Sequence, residues 1–341
     1  MSFANKRFNY PLILESRITN ITPQFKTVPW CLNGHLHTIG ASLLFKPAGV
    51  NYKRKKIETP DGDILELDLL ENSASSSVVI LLHGLEGSSQ RYYIQNLANH
   101  LYVDGHTVAA LNFRSCGGTL NLKRRFYHSG ETEDLTTVCE WLSDIYPDQI
   151  QFAAGFSLGG SVLLNYLNRY KEKSRIKGFT SISVPYDLHR GAINLQKGFN
   201  KIYDYYFLRT LKSKLDQKRH QYTDLPHFTG STLFDFDDQV TAPIHGFKDA
   251  VDYYAQCSSA FFIDQIVTPG LLIHSKEDPL CPFEYTPNQA IDNNPNLTTV
   301  FTDQGGHVGF WSRPSGWIEL IISQYLKQLA EAEFGLSTLF K

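Results

Sequence analysis

From Lys53 onward the hydrophobic positions alternate between two rhythms. Continuous apolar runs at 78–83 (VVILLH), 106–113 (HTVAALNF), 149–156 (QIQFAAGF) and 176–184 (IKGFTSISV) read as strands buried on both faces. Between them apolar residues recur at helical spacing: near 90–103, in 131–146 through Leu135, Val138, Cys139 and Leu142, and from about 158 to 171. Ahead of these, KRKKIETP and ILELDLLE flank Pro60-Asp61-Gly62-Asp63 as an antiparallel hairpin. The alternation predicts an α/β fold: a mostly parallel central sheet wrapped by helices on both faces. Reactive groups in such sheets gather at the carboxyl ends of the strands.

The rhythm breaks between about 189 and 267, a stretch rich in Tyr, Phe, Lys and Leu with short helical patterns and no buried strand. LLIHS (271–275) and LTTVFTD (297–303) restore the sheet, and SGWIELIISQYLKQLAEAEF (315–334) closes the chain as an amphipathic helix. Three parts are expected. Residues 1–52 form an extension packed on the body, 53–188 with 268–341 form the body, and 189–267 form a helical cap over the sheet's carboxyl edge.

Composition adds mostly exclusions. The 341 residues are 42% hydrophobic and 19% charged, with a net charge of −2, which gives no electrostatic reason to expect nucleic acid or an anionic membrane as partner. The basic run Lys53–Lys56 reads as a solvated strand edge. Five cysteines show no CxxC pair and no metal-ligand spacing, so free thiols in a reducing compartment are expected, with no metal and no cofactor. The first twenty residues lack the apolar core of a signal peptide, and no run approaches the ~18 apolar residues of a membrane span. A cytoplasmic protein without stable membrane insertion is the expectation; the oligomeric state is left open.

The candidate chemistry centres on Gly155-Phe156-Ser157-Leu158-Gly159-Gly160, placed between an expected strand and an expected helix. That is the context of a nucleophile elbow, where a tight turn thrusts a serine out of the sheet and glycines let neighbouring backbone pass. A serine needs a base and the base an orienting acid, in the chain order Ser, acid, His. His307 lies in the glycine-rich loop Asp303–Phe310 after the last strand, and Asp278 lies just past LLIHS; Glu277 and Asp303 are the rival acids. An oxyanion hole would take the backbone N–H of Leu158 and that of Leu85, the latter in the loop His83–Ser89. His83 reads as structural. Arg114 would either meet an acidic substrate group or, the favoured reading, brace its loop through a carboxylate such as Glu131 or Glu133, and Ser129 would cap the following helix.

HGLEGSS, NFRSCGG, FYHSGETEDL, GFSLGG, the late Asp278-Pro279 and GGHVGF, spaced in this way, resemble the YheT-like (AB-hydrolase 4) branch of the α/β hydrolases. That branch is related to eukaryotic ABHD-type lipid hydrolases and to yeast medium-chain ester-forming acyltransferases. The resemblance runs from about Pro29 to the closing helix. Trp30 and Asn33-Gly34-His35-Leu36 are similar to the branch's N-terminal element, with His37 standing where that element usually has Gln. The resemblance implies an α/β-hydrolase fold and the triad Ser157, Asp278 and His307. The expected activity is hydrolysis of carboxylic esters, of short to medium acyl chains, on a small-molecule ester or acyl-lipid substrate. Transfer of the acyl group to an alcohol is the alternative, and a catalytically silent binding protein on the same fold a remote one.

Overall fold

The computed structural model describes residues 23–335, so the expected parts at 1–22 and 336–341 lie outside the described residues. Eight strands form one sheet: β1 (Lys53–Glu58), β2 (Ile64–Leu70), β3 (Ser77–Leu82), β4 (Thr107–Asn112), β5 (Ile150–Phe156), β6 (Ile176–Ile182), β7 (Gly270–Ser275) and β8 (Leu297–Thr302). Their order is β1-β2-β4-β3-β5-β6-β7-β8. β2 runs antiparallel to both of its neighbours and all other pairs are parallel. The basic run Lys53–Lys56 falls on the edge strand β1.

Strand periodicity divides the core into two layers. Val79, Leu81, Val108 and Ala110 face helices α2 (Tyr92–Val103) and α11 (Trp317–Phe334, which follows the short α10, Asn288–Asp292), meeting Leu97, Leu101, Ile322 and Leu326. The alternate residues Ile80, Leu82, Ala109 and Leu111 face α3 (Glu133–Ile145) and α4 (Leu158–Tyr170), meeting Leu135, Val138, Val162 and Leu167. Apolar side chains on both faces are what a central parallel strand requires.

Helix α1 (Gly34–Leu44) precedes the sheet. Between β6 and β7 lie α5 (Leu188–Leu195), α6 (Lys201–Arg219), α7 (Leu233–Phe236), a π-helical turn at Asp237–Thr241, α8 (Ala242–His245) and α9 (Ala250–Cys257). No strand falls in this segment. Leu208, Leu215, Phe236 and Val240 reach down into the α3–α4 layer, so the segment is knitted to the body and not merely laid on it.

Of two local expectations, one holds with other partners than those named and one does not hold. Arg114 does brace its loop, but through Asp134 (2.6 Å), Asp63 (2.6 Å) and Asp61 (3.0 Å), not Glu131 or Glu133. A guanidinium with no exposed surface needs acceptors for five N–H donors, and the β1–β2 turn brings two carboxylates to it. Glu131 instead accepts from the N–H groups of Glu133 and Asp134 at the start of α3 and pairs with Arg125. Ser129 therefore does not cap α3; its N–H donates to the Tyr253 hydroxyl.

Register sets the position of the site. Leu82 pairs with Gly155, Phe156 with Ile182 and Ser275 with Thr302, so the loops leaving these strands emerge along one edge. The chain changes direction across the sheet between β3 and β5, the crevice where ligands bind in open α/β sheets.

Candidate active site

Ser157 stands between β5 and α4 with φ +53° and ψ −120°, a positive-φ conformation that a residue with a Cβ adopts only under constraint. The constraint is crowding. A Cβ on Gly155 would sit 2.6 Å from the carbonyl oxygen of Gly159, and one on Gly159 would sit 2.6 Å from that of His83. The Ser157 N–H donates to Ile182 O at 2.8 Å, tying the elbow to β6.

The β3 loop closes over the serine. A Cβ on Gly84 would come within 3.2 Å of the Ser157 Cβ, so glycine permits the approach. Behind it, His83 Nδ1–H donates to Gly84 O (2.7 Å) and Nε2 accepts from the Phe113 N–H (3.1 Å), while the Gly84 N–H donates to the Tyr93 hydroxyl. Complete burial pushes the His83 pKa down to about 3, so the ring stays neutral and keeps that tautomer. Expected to be structural, His83 is a brace for the loop. Leu85 and Leu158 border the same pocket as Ser157 and His307. Leu158 opens α4, so its N–H has no intrahelical acceptor.

His307 Nε2 lies 2.8 Å from Ser157 Oγ, and Nδ1 lies 2.9 Å from Asp278 Oδ2. Asp278 Oδ1 accepts from the N–H groups of Leu280 and Cys281, both at 2.9 Å. Burial alone would raise the Asp278 pKa; the charge and hydrogen bond of His307, with His274 and the Cys281 N–H, outweigh it and hold the carboxyl below its ordinary value. Of the rival acids, Asp303 is exposed and pairs with Lys276, and Glu277 is exposed beside Asp278. Among the described residues, the one group of donor atoms close enough to hold a metal is Asp278, Cys281 and His307, within 4.8 Å of one another. Two of those three are already hydrogen-bonded to each other.

The loop carrying His307 is held by residues that the sequence reading gave no role. The His307 N–H donates to Thr38 Oγ1 (2.8 Å), and the Val308 N–H donates to Ser183 Oγ (3.1 Å). The Trp311 N–H donates to His37 Nδ1 (3.2 Å), which leaves His37 Nε2–H to donate to Thr27 Oγ1 (2.9 Å). A Cβ on Gly306 would lie 2.5 Å from Thr38 Oγ1, so loop and helix α1 meet backbone to backbone.

Above these groups lies a pocket of about 820 Å³, its open mouth included. Leu188, Ala192, Leu195, Phe207, Leu211 and Leu233 of the β6–β7 segment give it an apolar wall; His128, Asp237, Thr241, Tyr253 and Tyr254 give it a polar end. Asp237 accepts from the Tyr254 hydroxyl at 2.7 Å, and burial raises its pKa to about 6.

Residues 77–314 match the family model described as the alpha/beta hydrolase fold. The chain is 32% identical to Escherichia coli (strain K12) YheT, named as a candidate esterase, over 88% of this chain and 92% of that protein. The chain belongs to the α/β-hydrolase family, in its YheT-like branch. This α/β hydrolase is also 28% identical to human phospholipase ABHD3, over 96% of this chain and 85% of the human one. Among solved structures, the esterase Pf2001 of Pyrococcus furiosus superposes with a TM-score of 0.56 at 22% identity, covering 82% of this chain and 92% of that one, a likeness of fold. The hydrolase thus has esterases and phospholipases among its relatives. Its His37 both accepts and donates a hydrogen bond, as a glutamine amide can.

Proposed function

We propose that this hydrolase cleaves carboxylic esters of short to medium acyl chains, with Ser157 as nucleophile, His307 as general base and Asp278 as the orienting acid. The observation that carries the reading is the unbroken chain of hydrogen bonds from Ser157 Oγ through His307 to Asp278 at the floor of a largely apolar pocket. Ser157 attacks the ester carbonyl while its proton passes to His307 Nε2. Asp278, kept ionised, stabilises the imidazolium that forms. The N–H groups of Leu85 and Leu158 receive the oxyanion, each donor being worth ~3–4 kcal/mol in sites of this kind. His307 returns the proton to the leaving alcohol, and water deacylates the enzyme by the same route.

In this reading residues 189–267 act as the cap. Their apolar wall receives the acyl chain, and no metal or cofactor takes part. The relatives' names support ester and lipid substrates as a class. The five free cysteines accord with a reducing compartment, which we take to be the cytoplasm.

The test is hydrolysis of a p-nitrophenyl ester series from acetate to palmitate by wild type and Ser157→Ala. Loss of roughly 10⁵–10⁶-fold in kcat, with an optimum at short or medium chains, is expected. Activity that survives in Ser157→Ala would overturn the mechanism. Formation of ethyl ester in preference to free acid with added ethanol would replace water by an alcohol as the acyl acceptor.

A further inference from the structure

The helices that line the pocket also have an outer face. Phe199, Ile202 and Tyr205 project into solvent from the α5–α6 turn and the start of α6, Tyr205 being 68% exposed. Helix α1 adjoins them: the ring of His35 packs edge-on against Phe199 with centroids 4.6 Å apart, and its Nδ1 is bonded to the Tyr203 hydroxyl at 2.9 Å. Leu32 (73% exposed) and Leu36 flank His35 and extend the same apolar surface. Such a patch on a soluble chain marks an interaction surface, whereas scattered single leucines would not.

Charge says what kind of surface would meet it. From Pro23 to Lys56 the sequence contains no Asp or Glu, and from Leu188 to Tyr203 it again contains none. The exposed charged residues at the α5–α6 turn are Lys197 and Lys201, with Arg190 on α5 and Arg209, Lys212 and Asp216 farther along α6. The next acid, Asp204, is buried and accepts from the Leu233 N–H. An acid, Glu277, borders the patch where its carbonyl packs against Gly34. The net charge of −2 averages this asymmetry away.

We propose that the outer face of the α5–α6 turn, together with the start of α1, docks on an anionic lipid bilayer. Aromatic and aliphatic side chains beside lysines suit the headgroup boundary, where the rings insert and the ammonium groups meet lipid phosphates. No described helix is long and apolar enough to cross a membrane, so the attachment is peripheral. The geometry gives it a purpose: Leu188, Ala192 and Leu195 of α5 and Phe207 and Leu211 of α6 line the pocket from the opposite side of these helices. A docked bilayer would stand about one helix diameter, ~10 Å, from the acyl pocket. Docking goes beyond the esterase reading and does not depend on it.

Flotation with phosphatidylcholine vesicles, with and without phosphatidylglycerol, tests the inference. Wild type and Ser157→Ala should both float with the anionic vesicles and be released by salt, and neither should float with phosphatidylcholine alone. Combining Lys197→Gln with Lys201→Gln should weaken partitioning by roughly thirtyfold, and combining Ile202→Asp with Tyr205→Asp by at least as much. None of these four residues touches the pocket, so melting temperature and hydrolysis of a soluble acetate ester should stay at the wild-type level. Wild type that ignores anionic vesicles at low salt would overturn the proposal, as would binding that both double variants retain. A wild-type dimer in sedimentation that the Ile202/Tyr205 variant dissociates would also overturn it, because the patch would then be covered by a second copy. Failure of ester hydrolysis with docking intact would count against the proposed function alone.

Discussion

The nucleophile elbow and the histidine loop face each other across 2.8 Å, yet they are built in opposite ways. The elbow is made of nearby backbone: Gly155, Gly159 and the carbonyl of His83 leave room for one path of the chain, and that path fixes Ser157 at φ +53°. The histidine loop is fixed by remote side chains. Thr38, His37 and Ser183 each take one of its N–H groups. One half of the site is thus held by steric exclusion and the other by hydrogen bonds, so the two should fail differently under mutation.

The largest effect is expected on the elbow side. Gly159→Ala drives a methyl group into carbonyl oxygens of β3 and its loop, which cannot move without distorting the sheet. Destabilisation of about 3 kcal/mol or more and loss of ester hydrolysis are expected. Thermal melting with an activity assay measures both, and a variant that stays stable and active would refute the crowding argument. On the histidine side, Thr38→Val removes the acceptor of the His307 N–H while keeping the shape. A buried donor left unpaired costs ~1–3 kcal/mol, and kcat should fall by roughly tenfold as the imidazole loses its position, with KM little changed. Thr38→Ser should restore both, a rescue that simple loss of packing would not allow.

The smallest effect is one of pH. Burial lowers the His37 pKa to about 4, against ~6.5 in an unfolded chain. Between those values the unfolded state binds more protons, so this residue's contribution to stability is present above about 6.5 and is lost as pH falls toward 4. Protonation would remove the acceptor used by the Trp311 N–H. His37→Gln should keep both hydrogen bonds and flatten that part of the acid-unfolding profile; equal acid sensitivity in both proteins would remove His37 from the account.

The same contrast explains what could be read in the sequence. The elbow announces itself because its cause is local: glycines two residues either side of a serine, between an apolar run and a helix. Asp278 was legible as a candidate for a similar reason, three residues past a buried strand. Thr38 and Ser183 carry no local signal, because a threonine in a helix's second turn and a serine after a strand have many uses. Arg114 gave half its story. Its role as a brace was foreseeable, but its partners Asp61 and Asp63 sit in a turn some fifty residues earlier, and nearer glutamates looked sufficient. Asp237 was invisible as a pocket residue, since nothing local in the sequence marks which face of this short helical turn meets the pocket.

The bond between Thr38 and His307 joins residues 269 positions apart in a chain of 341. At ~5–20 residues per second of synthesis, the ribosome takes roughly 13–54 s to travel from one to the other. Through that interval helix α1 and the segment before it have no loop to dock on, and Val28, Cys31 and Ala41, all buried in the finished protein, stand open. The earliest part of the site to be made is therefore among the last to be secured. A nascent chain stalled before residue 307 would expose that arm to chaperones and proteases, and the candidate site would gain His307 and the brace of its loop in one late event.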